Sequence, residues 1–480
     1  MTFLNKSNGP LATAFFGSLL LSLVALHFNP ILPRDSIFYL DIASALVNEE
    51  SSTATEYYAW PWISVAIAAA HSLTGLSVTN VGLLLALLLM AGTCTILTRS
   101  SQLLNPDSAW WACLISLSIP AFNSYRDSIL RDPGQWFAAA LVMLALALWH
   151  HSKQWRHLLL ALTAISIGVF FRLEAIFMLA PLVITITWQV RSLLWKRRVL
   201  IFSLLFALAA VSVFIFLAST AMENSRVQYY LELLNPSIIT EELNKSTTAF
   251  SESVLEKYSH DDAGTILVFG FIGLILTKVL LLHGPLLVLI PFFATSLAKL
   301  RDHPLRIFII SASACYLFIL LVFTLQKSYM TNRYVALLHV FLTPLLATSA
   351  VHFYRSHRKL ALLLVFLSVL TGLSNVISLS DKRTHYFAAG HWIKRNIPED
   401  ANTYYSDGRV SYYAGRRYLP PPYDGSAAVQ KLSPRYEFFV IDNLKGNTTA
   451  QRLIEEGKLQ IIAEFDNGKR RHLSILRRTQ

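Results

Sequence analysis

The sequence predicts a polytopic α-helical membrane protein of about eleven transmembrane helices, with helices lying at the outer interface and a small C-terminal α/β domain. Three observations predict it. First, 54% of the 480 residues are hydrophobic and only 15% are charged, against about 25% charged in a soluble globular chain. Second, apolar runs of bilayer length recur from residue 11 to residue 379, and a crossing needs about 20 apolar residues. Third, the chain turns polar after Ser380 and alternates helix and strand patterns, which indicates an α/β domain.

The apolar runs lie near 11–31, 79–98, 109–122, 135–150, 157–171, 175–193, 199–219, 285–299, 306–325, 335–353 and 360–379. The first has no small-residue cleavage end, so it reads as a retained span. Lysine and arginine sort the loops. Arg99, Lys153 and Arg156, Arg191 with Lys196, Arg197 and Arg198, Lys299 with Arg301 and Arg306, and Arg355 with Arg358 and Lys359 fall on one side. That side is the cytoplasm by the positive-inside rule, and the N-terminus with Lys6 joins it. The net charge of +12 sits mainly in these loops, which argues against a nucleic-acid partner. The outer side receives residues 32–78, the loop 124–134, Arg172, the long segment 220–284, residues 327–334 and the tail.

Two apolar stretches break the alternation. Residues 61–75 and 265–282 are each bracketed by outer loops. Counting either as a span puts a basic loop outside, so both read as interfacial or re-entrant helices; the alternative for 265–282 is a twelfth span. The domains divide as 1–380, membrane-embedded, and 381–480, extracytoplasmic. The tail reads as helix 386–396, strand 403–406, a turn at Asp407-Gly408-Arg409, helix 410–414, a proline loop at 420–422, strand 438–442, helix 449–456, and strands 459–465 and 472–476. It contains no Gly-rich phosphate loop and no GxSxG.

Five outer elements carry chemistry. Arg34, Asp35, Tyr39 and Asp41 follow the first span directly; ionisable groups at that depth are costly and mark function by default. The plainer reading is an N-cap (Asp35) on an interfacial helix, with Tyr39 in the aromatic belt. The stretch Glu56–Trp62 is dense in aromatics, including Tyr58 and Trp60 before Pro61; these suit an interface belt or the apolar face of a sugar. The loop 124–133 holds Arg126-Asp127 and Arg131-Asp132, which suit salt bridges or a site. Arg172-Leu173-Glu174 lies where two runs meet with almost no loop, and an intramembrane ion pair there is hard to read as decoration. Lys327 and Arg333-Tyr334 end the series. Arg131, Arg172, Lys327 and Arg333 suit a lipid-borne phosphate, because a cation counts for more at bilayer depth than in water. Asp35, Asp41 and Asp132 are candidate bases. Lys278 reads as snorkelling to the interface. The cysteines Cys94, Cys113 and Cys315 all lie in apolar runs, without disulfide or metal spacing.

The order of these motifs resembles the GT-C membrane glycosyltransferases, in the branch of the aminoarabinose transferases, protein O-mannosyltransferases and rhizobial galacturonosyltransferases. Asp35-Ser-Ile-Phe-Tyr39-Leu-Asp41 is similar to their first-outer-loop motif. Tyr58-Ala-Trp60-Pro61-Trp62 resembles their aromatic-proline stretch, and Arg131-Asp132-Pro133 their second acidic site. Arg172-Leu-Glu174, Arg333-Tyr334 and Asp407-Gly408-Arg409…Tyr412-Tyr413 resemble later family motifs. The chain departs in two places: Ser36 replaces a frequent second acid, and Trp60 stands where some members carry a lysine.

The resemblance implies an enzyme of the inner membrane that moves a sugar from a polyprenyl-phosphate donor to a lipid, glycan or protein of the cell envelope, such as lipopolysaccharide. Asp35 is then the general base by motif position. Arg131, Arg172, Lys327 and Arg333 bind the leaving phosphate, so no general acid is required. Asp132 positions the acceptor or a cation, and Asp41 is a second carboxylate or a partner of Arg34. Tyr39, Tyr58, Trp60 and Glu174 line the sugar or acceptor pocket. No cofactor is implied. A divalent cation stays open, although no His/Cys set with ligand spacing appears on the outer side. The other class is a carrier of lipid-linked sugar without transferase activity. It needs polar groups at mid-membrane depth, often in paired half-helices, whereas these cluster at the outer ends.

Overall fold

The computed structural model describes residues 8–48, 51–189, 232, 235–377, 384–418, 429, 435–467 and 472–479. The run expected at 199–219, the basic loop 191–198 and the proline loop 420–422 lie outside the described residues. In chain order the helices are α1 (Gly9–Phe28), α2 (Arg34–Val47), α3 (Ser51–Tyr57), α4 (Trp62–Thr74), α5 (Val78–Leu104), α6 (Ala109–Ser118), α7 (Pro120–Asn123), α8 (Asp132–Ser152), α9 (Trp155–Phe171) and α10 (Leu179–Gln189). They continue as α11 (Pro236–Val254), α12 (Ala263–His283), α13 (Phe293–Lys299), α14 (Pro304–Lys327), α15 (Asn332–Ser356), α16 (Arg358–Val376), α17 (Thr384–Asn396), α18 (Gly408–Tyr413) and α19 (Thr448–Glu455). Four strands accompany the last helices: β1 (Thr403–Tyr405), β2 (Phe438–Asp442), β3 (Leu459–Asp466) and β4 (His472–Arg478).

Seven helical stretches among the described residues are long and apolar enough to cross a membrane: α1, α5, α8, Lys257–Lys299, α14, α15 and α16. Local chemistry sets their ends. Proline opens α8, α11 and α14 in the first turn, where its missing N–H costs nothing. Asn235 and His303 accept the free N–H groups that start α11 and α14. The helix α4 has 13 residues and stops at Gly75 with φ +71°. At 1.5 Å per residue it spans about 20 Å, too short to cross, in keeping with the expected interfacial or re-entrant helix. By contrast α12 has 21 residues and belongs to a 43-residue apolar stretch. Length and composition thus qualify 265–282 as a crossing, where the charge pattern had set it at the interface. The run expected at 285–299 is not one α-helix either. Residues Gly284–Phe292 form a 3₁₀ segment with Pro291 inside it, because proline removes a backbone donor, and α13 follows.

The chain forms two compact units. One comprises the described parts of Met1–Ala25, Ala86–Arg126 and Arg131–Ile377. Its core is apolar and tightly packed around Trp136, Phe122, Phe308 and Phe341. The helices α8 and α9 approach closely at glycines: a Cβ on Gly168 would lie 3.0 Å from that of Ala175 and 3.1 Å from that of Ala138, and one on Gly134 would run into the ring of Phe171.

The other unit comprises the described parts of Leu26–Leu85, Asp127–Leu130 and Ser378–Gln480. Here α2 packs on α4, and the tail folds around a four-stranded sheet of order β1-β2-β4-β3. The pair β1–β2 is parallel, while β2–β4 and β3–β4 are antiparallel. Alternation along β2 sorts its residues to two faces. Phe438 and Val440 join Tyr386, Ala389 and Ile393 of α17, and Val410 of α18. Phe439 and Ile441 join Ala450 and Leu453 of α19. The tail elements match the sequence pattern to within about two residues.

The close approach at Gly134 carries a consequence. Gly134→Ala forces its Cβ into Phe171 and should cost about 1–3 kcal/mol. Gly270→Ala, in α12 with nothing within 4 Å of its Cβ, should gain up to about 1 kcal/mol from helix propensity. Thermal unfolding of both variants in detergent checks this; equal Tm values would contradict it.

Candidate active site

The candidate residues fall into two groups, one in each unit. The first gathers on Asp132. This residue opens α8 and is buried, with 3% of its surface exposed. Arg172 stands at the break between α9 and the 3₁₀ turn Leu173–Met178, with an extended backbone (φ −143°, ψ 120°). That break lets its guanidinium turn to two carboxylates at once. Arg172 Nη1 donates to Asp132 Oδ1, and its Nε donates to Glu174 Oε1 at 3.0 Å. Arg333, in the first turn of α15, places Nε 3.5 Å from Asp132 Oδ2. Asp132 is therefore an ion-pair partner of Arg172 and Arg333, which are 40 and 201 residues distant in sequence.

Aromatic rings complete this group. The Arg172 guanidinium lies 5.0 Å from the ring centre of Tyr334, and that of Arg333 lies 5.5 Å from it. The Tyr334 carbonyl accepts the Tyr316 hydroxyl at 2.7 Å. Arg131 is buried at 8% exposure and acts electrostatically on Glu174. Glu174 keeps one buried oxygen, Oε2, without a hydrogen-bond partner. The group thus brings the guanidiniums of Arg172 and Arg333 onto Asp132, with Arg131 acting on Glu174. Lys327 is exposed at the last position of α14. Lys278, expected to snorkel, donates to Asn332 Oδ1 at 3.0 Å, at the start of α15.

Arg126 behaves unlike its sequence neighbour Arg131. It is 3% exposed and donates to Asn123 Oδ1 at 2.6 Å and Ser18 Oγ at 2.8 Å. The Arg126-Asp127 pairing suggested by adjacency does not form. Asp127 instead accepts the hydroxyl of Ser128 at 2.8 Å.

The second group lies on and around α2. The helix starts at Arg34, with Pro33 at the cap position and extended. Asp35 is thus one residue inside the helix, not its N-cap. It is exposed in the first turn, where the helix dipole favours a carboxylate. Ser36 is fully buried, and its hydroxyl accepts the Ile129 N–H at 2.9 Å. Tyr39 is 6% exposed; its ring lies 5.8 Å from that of Tyr58. Trp60 is buried and meets Trp62 edge-on at 6.3 Å. These rings pack on one another at the α2–α4 junction.

Asp41 faces away from Asp35. It is 5% exposed, takes a backbone hydrogen bond from Tyr418 and feels the charge of Arg417. Its Oδ2 has no hydrogen-bond partner. Burial pushes its carboxyl up to about 7, against the opposing pull of the Tyr418 N–H and Arg417.

No protein-family model matches the sequence, and no curated protein matches it. Solved structures do. The fold is similar to that of ArnT from Cupriavidus metallidurans bound to undecaprenyl phosphate, with a TM-score of 0.68 and 12% identity over 98% of both chains. The apo state of the same protein matches with a TM-score of 0.61 and 13% identity, again over 98% of both chains. The chain therefore shares the fold of ArnT over 98% of its length.

The Asp41 environment sets a pH dependence. The folded chain holds a proton on Asp41 that the unfolded chain releases near 3.8. Its contribution to stability is thus full below about pH 4 and lost as the pH rises through about 7. Asp41→Asn removes this loss, so its Tm should fall less than that of the unaltered protein between about pH 5 and about pH 8. Equal falls would refute the assignment.

Proposed function

We propose that this protein is a membrane glycosyltransferase that moves a sugar from a polyprenyl-phosphate donor to a hydroxyl acceptor of the cell envelope. The observation that carries the reading is the end-to-end fold likeness to ArnT bound to undecaprenyl phosphate, a polyprenyl phosphate. Each step of that reaction finds a fitting residue. An acceptor hydroxyl attacking the anomeric carbon has to lose a proton, and Asp35 is an exposed carboxylate in a helix first turn. A general base at this position is worth about 10²–10⁴ in rate. The bond that breaks joins the sugar to the lipid phosphate. The phosphate leaves as an anion, so it needs cations rather than an acid. Arg131, Arg172 and Arg333 supply them from the group around Asp132, and Lys327 is a further candidate.

In this reading Asp132 is the post that fixes Arg172 and Arg333, with their forks preset before the donor arrives. One displacement on one carbon inverts its configuration and needs no covalent intermediate. Of the candidate rings, Tyr58 is half-buried and can meet a sugar, whereas Tyr39 and Trp60 are buried. The envelope acceptor is a lipid, a glycan or a protein, and the site is on the extracytoplasmic face of the inner membrane.

The test is transfer by the purified protein in nanodiscs, with polyprenyl-phosphate sugars as donors and envelope lipids as acceptors, read by mass spectrometry. Asp35→Asn should reduce transfer by about 10² or more with unchanged Tm. Full activity in that variant would remove Asp35 as the base. Sugar-lipid movement across the membrane without any transfer would replace the enzyme with a carrier.

A further inference from the structure

We propose that the C-terminal domain is a positioning element for the helix that carries Asp35, acting through Tyr412, Tyr413 and Tyr418; this rests on the reading of Asp35 as the base. Two hydroxyl contacts join the domain to this helix and its lead-in, and a third joins it to the start of α5. Tyr413 accepts the Leu32 N–H at 3.0 Å. Leu32 belongs to the short lead-in to α2, whose cap residue Pro33 provides no side-chain cap. The contact therefore fixes the lead-in that proline leaves unsupported. Tyr418 accepts from Arg34 Nη2 at 3.4 Å, one residue before Asp35. Tyr412 shares a hydrogen bond of 2.5 Å with the Thr79 hydroxyl, at the start of α5. On the next turns of α2, the buried carboxylate of Asp41 takes the Tyr418 N–H. The helix is thus held at its entry and along its buried face.

A clamp transmits position only if its own base is rigid, and this one is. The helix α18 carries Tyr412 and Tyr413. Its cap Asp407 accepts the Arg409 N–H at 2.9 Å and grips the Arg409 guanidinium through both oxygens, at 2.8 and 2.6 Å. Such charge-assisted bonds are about twice as strong as neutral ones. Arg409 stacks 4.1 Å from the ring centre of Tyr386, and the Tyr386 hydroxyl donates to Asp442 at 2.6 Å, the last residue of β2. The chain of contacts therefore runs from the sheet to α18. Two glycines allow the close fit. A Cβ on Gly390 would lie 2.8 Å from the Tyr413 backbone, and one on Gly408 would lie 2.6 Å from the Tyr418 ring.

None of the three tyrosines is placed at the reacting atoms, so they are positioning residues and affect turnover through the aim of Asp35. The test uses the full-length protein in nanodiscs. Tyr413→Phe and the double variant Tyr412→Phe/Tyr413→Phe keep the rings and remove the hydroxyls. Kinetics should show kcat down by about fivefold to a hundredfold, with the donor KM unchanged and Tm within a few degrees. Hydrogen exchange in the peptide from Arg34 to Val47 should rise. Leu453→Ala, on the opposite face of the sheet among the α19 contacts, should lower Tm without changing kcat per folded molecule. Unaltered kcat and unaltered exchange in the tyrosine variants would overturn the positioning role. So would a kcat loss that follows Tm alone, as shown by a matching loss in Leu453→Ala. An unaltered protein without any transferase activity would overturn the functional reading itself, while exchange would still report whether the clamp holds α2.

Discussion

Asp132 is a carboxylate gripped from two sides inside an apolar bundle, and its unit is built to keep it gripped. Taking an ion out of water costs several kcal/mol, which its partners must offset with good geometry. That constraint brings three places in the chain together: the start of α8, the break between α9 and the following 3₁₀ turn, and the start of α15. The break is part of the solution. Arg172 is extended between two helical segments, and from there one guanidinium meets both Asp132 and Glu174. A continuous helix would fix its Cβ direction to one stripe. The same network leaves one buried oxygen of Glu174, Oε2, without a hydrogen-bond partner.

The other unit treats its key helix differently. The helix α2 shows Asp35 to solvent and buries Tyr39 and Asp41. Its buried side rests on α4 and on the tail. Bonds from tyrosine hydroxyls and a tightly held Asp407–Arg409 pair join this helix to the sheet. The domain at the end of the chain is thereby tied to α2 without contributing a side chain to the group around Asp132.

Much of the fold was legible in the sequence. Apolar runs foretold the long apolar helices among the described residues, though not α3 or α11, and the tail pattern placed its four described strands. Hydrophobicity and periodicity add up along a local window, so they can be read locally. The failures are equally instructive. Residues 285–299 read as one helical span; they belong to a span-length apolar stretch, yet the chain from Gly284 to Phe292 is a 3₁₀ segment. Arg126 read as a partner of the adjacent Asp127, yet it enters the bundle to meet Ser18 and Asn123. Asp35 read as an N-cap, and Pro33 holds that position. Tyr334 was seen only as part of a motif, whereas its ring sits beside two guanidiniums. No signal in the sequence distinguishes that role from an aromatic belt.

Sequence alone determined the membrane class, the mixed tail, and the presence of acids and cations in a recognisable order. Those properties are carried by residue type and spacing. Tertiary structure decided which charges meet: Asp132 with Arg172 and Arg333, Asp41 with the Tyr418 backbone, and Ser36 with Ile129. It also decided that Asp35 and Asp41, on one short helix, face different surroundings. The reason is range. A hydrogen bond or close ion pair exists only within about 4 Å, and only folding brings residues from distant parts of the chain within that distance.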